Sequence, residues 1–218
     1  MMGRITQWLM RTSIWEWSLK AMNSLEVKIS GGKPKFPMSE YHRIAKDILV
    51  SEDCTIYTFA TAEVSSPISM AIRKLTDGDF NHAGFLLADE SGKHQAFHVT
   101  TEGLVIQDLL EVLRDADYIC INKLKLEPEN FAKALGRIEY IKSIGHFLSY
   151  DYAIHLENGD DKFYCSEATF YILDGLYDDM DLQPQIIYGL EVFSPSRVTQ
   201  LGDVVYTNHP SLKGIVND

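Results

Sequence analysis

The chain has 218 residues, 45% of them hydrophobic, and a formal charge of −11. That length buries one substantial core, so a single catalytic-size domain with an appendage is expected. The charge is uneven: residues 1–50 hold eight Lys/Arg against four Asp/Glu, and residues 51–218 hold twelve against twenty-seven. So acidic a body argues against a nucleic-acid binder, which needs clustered cations to displace counterions from phosphates. Cysteines at 54, 120 and 165 are odd in number and lack zinc-finger spacing. They predict no disulfide framework and fit a reducing compartment. No run of about 18 apolar residues is present to span a bilayer. Arg11 and Glu16 interrupt the apolar head where a secretory signal would be continuous, so a cytoplasmic protein is expected.

In chain order, Ile5, Trp8, Leu9, Trp15, Leu19 and Met22 recur at helical spacing across residues 2–24, with Arg4, Arg11 and Lys20 between them. This predicts an amphipathic helix. It carries all three tryptophans of the chain, Trp8, Trp15 and Trp17. Such a helix can lie on a membrane surface or dock on the protein's own body or a second subunit. Ser30 to Pro37 is rich in breakers and reads as a linker, dividing the chain into an appendage, 1–36, and a main domain, 37–218. A short helix is expected within 38–50, a half-buried strand over 55–59, and a capped helix over 66–73 with Pro67 in its first turn. Strands follow at 80–88 and 95–99, joined through Asp89 to Gly92 as a hairpin. A helix is expected over 107–114, a strand over 118–124, a long amphipathic helix over 128–147, a polar loop over 150–162 and a helix over 165–176. A looser tail holds one strand, 204–206. Strands and helices are segregated rather than alternating, which predicts an α+β fold, an antiparallel sheet packed against helices.

The chemistry centres on Phe163-Tyr164-Cys165-Ser166-Glu167, a cysteine where extended polar sequence turns into an apolar helical run. Unpaired amides and the dipole at a helix start stabilise a thiolate, so Cys165 is the candidate nucleophile and its pKa is expected to fall. Such a nucleophile needs a general base and a group that orients it. His82 begins a strand two residues before Gly84, and His98 lies on the neighbouring strand. Together the three would form a Cys–His–His arrangement. Ser166 and Glu167 suit capping of the first turn. His94 shares a strand face with His98 and permits a metal reading with His82 and Cys165. Zinc there would occupy the thiolate, so neither metal nor cofactor is expected. Cys54 and Cys120 read as packing residues of strands.

The segments Phe80-Asn81-His82-Ala83-Gly84-Phe85, Phe97-His98 and Tyr150-Asp151, followed by Tyr164-Cys165-Ser166-Glu167, resemble the circularly permuted branch of the NlpC-type papain-like superfamily. That branch includes bacterial papain-like amidases and is related to lecithin–retinol acyltransferase. Glu52 to Tyr57 is similar to its first strand, and Ser194 to Arg197 with Val204 to Tyr206 to its ending. The likeness spans about residues 50–207. Asn81 stands where the family usually has Ser, and His98 where bacterial members often have Glu and the acyltransferase relatives His.

The resemblance implies a cysteine-dependent hydrolase or acyltransferase acting on an amide or ester through an acyl-thioester. Cys165 would attack, His82 would hold the thiolate as imidazolium and protonate the leaving group, and His98 would orient His82. The Cys165 amide, with a tyrosine such as Tyr152 or Tyr164, would stabilise the oxyanion. A peptide, a peptidoglycan stem or a lipid acyl group would be the substrate. The competing reading is a catalytically silent protein of the same fold, attached to a membrane or assembly through residues 2–24.

Overall fold

The computed structural model describes residues 36–89, 91–145, 149–151, 156, 162–177, 182–187 and 189–215. The expected helix over 2–24 and most of the linker lie outside the described residues. So do Tyr152, His146 and His155.

Six antiparallel strands form the central sheet. They are β1 (Thr55–Ala62), β2 (His82–Ala88), β3 (His94–Thr100), β4 (Gly103–Asp108), β5 (Tyr118–Lys125) and β10 (Asp203–Thr207). Their order is β10-β5-β1-β2-β3-β4. The helices are α1 (Met38–Arg43), continued by a π-helical turn to Ile48, α2 (Pro67–Thr76), α3 (Leu109–Leu113), α4 (Pro128–Ile144), α5 (Cys165–Leu173) and α6 (Pro195–Val198). Two short pairs complete the described elements: parallel β6 (Ser149–Tyr150) with β7 (Lys162–Phe163), and antiparallel β8 (Gln185–Ile187) with β9 (Leu190–Val192). The fold is α+β, as the segregated sequence pattern predicts.

β1 is buried along seven of its eight residues rather than on alternate ones. The reason is that both faces of the sheet are covered. On one face Ile56, Ala83, Phe85 and Leu124 pack with Ile138 and Ile141 of α4 and Ala168 and Ile172 of α5. On the other, Tyr57, Phe59, Leu86 and Ile121 pack with Ile44, Leu109 and Leu113. Period-two alternation therefore feeds two cores instead of one core and solvent.

Helix starts follow the capping residues. Ser66 Oγ accepts the Ser69 amide at 3.0 Å and Pro67 opens α2. The expected helix over 107–114 begins later, at Leu109, because Gln107 and Asp108 complete β4 and the Asp108 carboxylate caps the Leu110 amide at 2.8 Å. α5 ends at Leu173 rather than 176. There Arg137 Nη1 donates to the carbonyls of Tyr171, Ile172 and Asp174 at 3.0, 3.2 and 2.7 Å, closing the C-terminus from α4. Cys54, expected in a strand, sits in a turn with φ 55°, ahead of β1. The β8–β9 hairpin interrupts what reads in sequence as a loose tail. Among the described residues no helix is long and apolar enough to cross a membrane.

Candidate functional site

Tyr164 is extended, φ −92° and ψ 167°, and α5 starts at the next residue, so Cys165 occupies its first position. Glu167 Oε2 accepts the Tyr164 amide at 3.1 Å, a reciprocal cap that fixes where the helix begins. Ser166 Oγ donates to the Phe193 carbonyl at 2.6 Å and ties the first turn to the segment after β9. Glu167 thus takes the capping role its position predicts, whereas Ser166 anchors the turn to another segment instead of capping it.

Cys165 is 3% exposed. Its thiol donates to the Asn81 carbonyl at 4.0 Å and accepts from the Ala83 amide, so it contacts the backbone on both sides of His82. This is available because β2 and β3 are paired only from Phe85↔Phe97 to Ala88↔His94. Ahead of that ladder no strand pairing joins β2 to β3, and the start of α5 bonds to the β2 backbone there. Gly84 makes the neighbouring crossing close enough: a Cβ there would stand 2.5 Å from the Phe97 carbonyl oxygen and 2.8 Å from His98 Cβ.

The two imidazoles meet directly. His82 Nε2 and His98 Nδ1 are 2.6 Å apart, and His98 Nε2 is 3.1 Å from the Gln107 carboxamide of β4. Both rings lie 6.1 Å from Phe59. Alternation along β2 places them on the Phe59 side of the sheet, while α5 covers the Ala83 side. The thiol therefore meets the β2 backbone on either side of His82 rather than the ring itself. Among the described residues it makes no hydrogen bond to the ring, and His82 Nδ1 is the nitrogen left over after the bond to His98.

The electrostatics differ from the sequence expectation. Burial pushes the Cys165 thiol up, against the pull of the Ala83 and Ser166 amides and the Tyr150 and Ser166 hydroxyls. Desolvation, with His98 beside it, holds His82 well below the usual histidine range, and burial takes His98 to about 4. Burial thus favours the uncharged form of all three side chains. This runs opposite to the expected lowering of the thiol and charging of His82, because desolvation is the largest cause at both groups.

Tyr164 is 2% exposed and packs with Ile72, Leu190 and Val192. Its hydroxyl accepts the Phe193 amide at 2.9 Å. The tyrosine whose hydroxyl reaches Cys165 is Tyr150. Parallel pairing of Tyr150 with Phe163 sets it beside the entrance to α5. Tyr150-Asp151 is part of the family-like pattern, yet residue order alone does not reveal which of eleven tyrosines points at the sulfur. Gln107 likewise gives no signal in sequence, where it falls in a helical pattern.

His94 stacks edge-on against Tyr57 with ring centroids 5.4 Å apart. Among the described residues no group of three or more His, Cys, Asp and Glu side chains is arranged to hold a metal ion. A small, partly enclosed cleft reaches Cys165 and His98 and is walled by Phe97, Leu104, Ile141 and Lys142 among others. Its lining is almost wholly apolar.

No protein-family model matches the chain, and no curated protein matches it in sequence. Among solved structures it is similar to the crystal structure of the metalloprotein YiiX from Escherichia coli O157:H7, with TM-score 0.48 and 18% identity. That likeness covers 69% of this chain and 93% of YiiX.

Proposed function

We propose that the protein is a cysteine-dependent hydrolase or acyltransferase of the permuted papain-like type, with Cys165 as nucleophile, His82 as base and acid, and His98 orienting His82. The observation that carries this reading is the thiol at the first position of α5, bonded to backbone on both sides of a histidine whose other nitrogen is held at 2.6 Å by a second histidine.

In the reaction, His82 Nδ1 takes the thiol proton and the sulfur attacks the carbonyl carbon, forming a C–S bond. The tetrahedral oxyanion is held by Tyr150 and by the Cys165 amide, which at the first helical position has no intrahelical acceptor. Collapse breaks the bond to the leaving nitrogen or oxygen, which receives the proton from His82. Water, or an acceptor alcohol or amine, then gives its proton to His82 and displaces the thiolate. The apolar cleft beside Cys165 suits the acyl side of the substrate, whether that belongs to a peptide, a peptidoglycan stem or a lipid. The three free cysteines fit a cytoplasmic setting, and the tryptophan-rich head would serve as a peripheral attachment.

The second reading, a catalytically silent protein of this fold, draws on the raised pKa and 3% exposure of Cys165, which an inert buried thiol would share. Iodoacetamide separates the two. If the site is active, Cys165 is alkylated faster than the half-exposed Cys54, and His82→Ala removes that advantage. A silent protein leaves Cys165 the slower thiol and indifferent to the substitution.

A further inference from the structure

The polar relay from the thiol does not end at His98. β3 and β4 pair Ala96 with Gln107 and His98 with Val105, so Gln107 and His98 are diagonal neighbours on one face of the sheet. The Gln107 carboxamide nitrogen is 3.1 Å from His98 Nε2, and His98 Nδ1 is 2.6 Å from His82 Nε2. The three side chains form a line running away from Cys165 across β2, β3 and β4.

A neutral imidazole has one donor and one acceptor nitrogen, so the state of one end of this line dictates the other. When the carboxamide NH₂ donates to His98 Nε2, His98 carries its proton on Nδ1 and donates it to His82 Nε2. His82 Nδ1 then bears a proton and cannot take one from the thiol. When the carboxamide oxygen accepts from His98 Nε2–H, every bond reverses. His82 Nε2–H donates to His98, and His82 Nδ1 is a free base. An imidazolium at His82 requires the same orientation, since its Nε2–H must also find an acceptor at His98 Nδ1.

Resting on the nucleophile reading above, we propose that Gln107 is a positioning residue whose half-turn of the carboxamide switches His82 between base-competent and base-incompetent tautomers. A carboxamide is suited to this because its oxygen and nitrogen exchange places by rotation about one bond. The switch sits on β4, at the edge of the sheet, where Gln107 is half-buried rather than locked in the core. Besides His82, the titratable residues that line the same cleft as His98 are Cys165 of α5 and Lys142 of α4. The Lys142 ammonium is bound to Glu139 at 2.6 Å, which leaves the carboxamide to set the tautomer.

The test uses the full chain with ring-¹⁵N histidine, at about pH 8 where histidines are neutral, and p-nitrophenyl acetate as the ester. Gln107→Glu offers an acceptor only, and Gln107→Met offers neither bond at similar size. In the Glu variant His82 Nδ1 should be pyridine-type and kcat retained. In the Met variant Nδ1 should gain pyrrole character, and kcat should fall roughly tenfold or more at unchanged KM, part of the ~10²–10⁴-fold that a positioned base supplies. Identical ring-nitrogen shifts in all three proteins, or equal losses in the Glu and Met variants, would overturn the proposal. If the unaltered protein does not turn the ester over, the nucleophile reading fails instead, and the nitrogen shifts alone decide the role of Gln107.

Discussion

At the scale of single residues the site is defined by burial before charge. His98 is 6% exposed, and burial takes its imidazole from the ordinary histidine range near 6.5 down to about 4. His82 shifts in the same direction. In the unfolded chain both would protonate near 6.5, so below that pH the unfolded state binds more protons than the folded one, and stability must fall as pH falls. Above about 6.5 neither state is protonated and the effect vanishes. Urea unfolding across this range should show stability flat from pH 8 to about 6.5 and then declining toward pH 4, by on the order of 3 kcal/mol for His98 alone. His98→Gln should flatten that decline; an unchanged slope would mean the ring is not buried neutral. The helix-start position of Cys165 and the strand positions of His82 and His98 are legible from pattern, whereas grouping the three rests on the family resemblance. Their protonation states are not legible, because desolvation depends on what the chain folds over them. The same holds for Tyr150, which reaches the sulfur only through the β6–β7 pairing.

At the scale of elements, the site lies where the β2–β3 ladder ends and the start of α5 bonds to the β2 backbone. Gly84 lies at that transition, with the Phe97 carbonyl, His98 and Phe59 closing on the place where a side chain would begin. Gly84→Ala should therefore force β3 outward, costing about 1–3 kcal/mol as overpacking, and lengthen the His82–His98 contact. Thermal unfolding together with Cys165 alkylation checks both effects; a variant of full stability and full reactivity would show that the close approach is dispensable. The strands at 82–88 and 94–100 are readable from alternation and from the turn at Asp89 to Gly92. β4 is not, since Leu104, Val105 and Ile106 form a short run that ends in a helix cap, and only pairing with β3 reveals it as a strand. The double-sided burial of β1 is hidden for a related reason: a pattern rich in β-branched and aromatic residues does not say how many layers will cover it.

At the scale of the whole molecule, the sheet separates two cores, and the cleft opens on the α4–α5 side where the acyl group of a substrate would lie. On the proposed function, its lining of Phe97, Leu104, Ile138 and Ile141 would select apolar acyl groups. Lengthening a p-nitrophenyl ester from acetate to propionate and butyrate should raise kcat/KM by about fourfold per methylene, from ~0.8 kcal/mol of burial each. A flat or falling series would place the acyl group elsewhere. The α+β class is legible from the segregation of strand and helix patterns, whereas the cleft is not, since it is a property of the gap between layers.

The proposed chemistry requires that Cys165 carry an acyl group. Mixing the full chain with p-nitrophenyl acetate, quenching in acid and mapping the adduct by peptide mass spectrometry reads this directly. One acetyl group on Cys165, absent in His82→Ala and not on Cys54 or Cys120, is the predicted result. An unmodified Cys165, or acetylation spread over the three cysteines irrespective of His82, would contradict it.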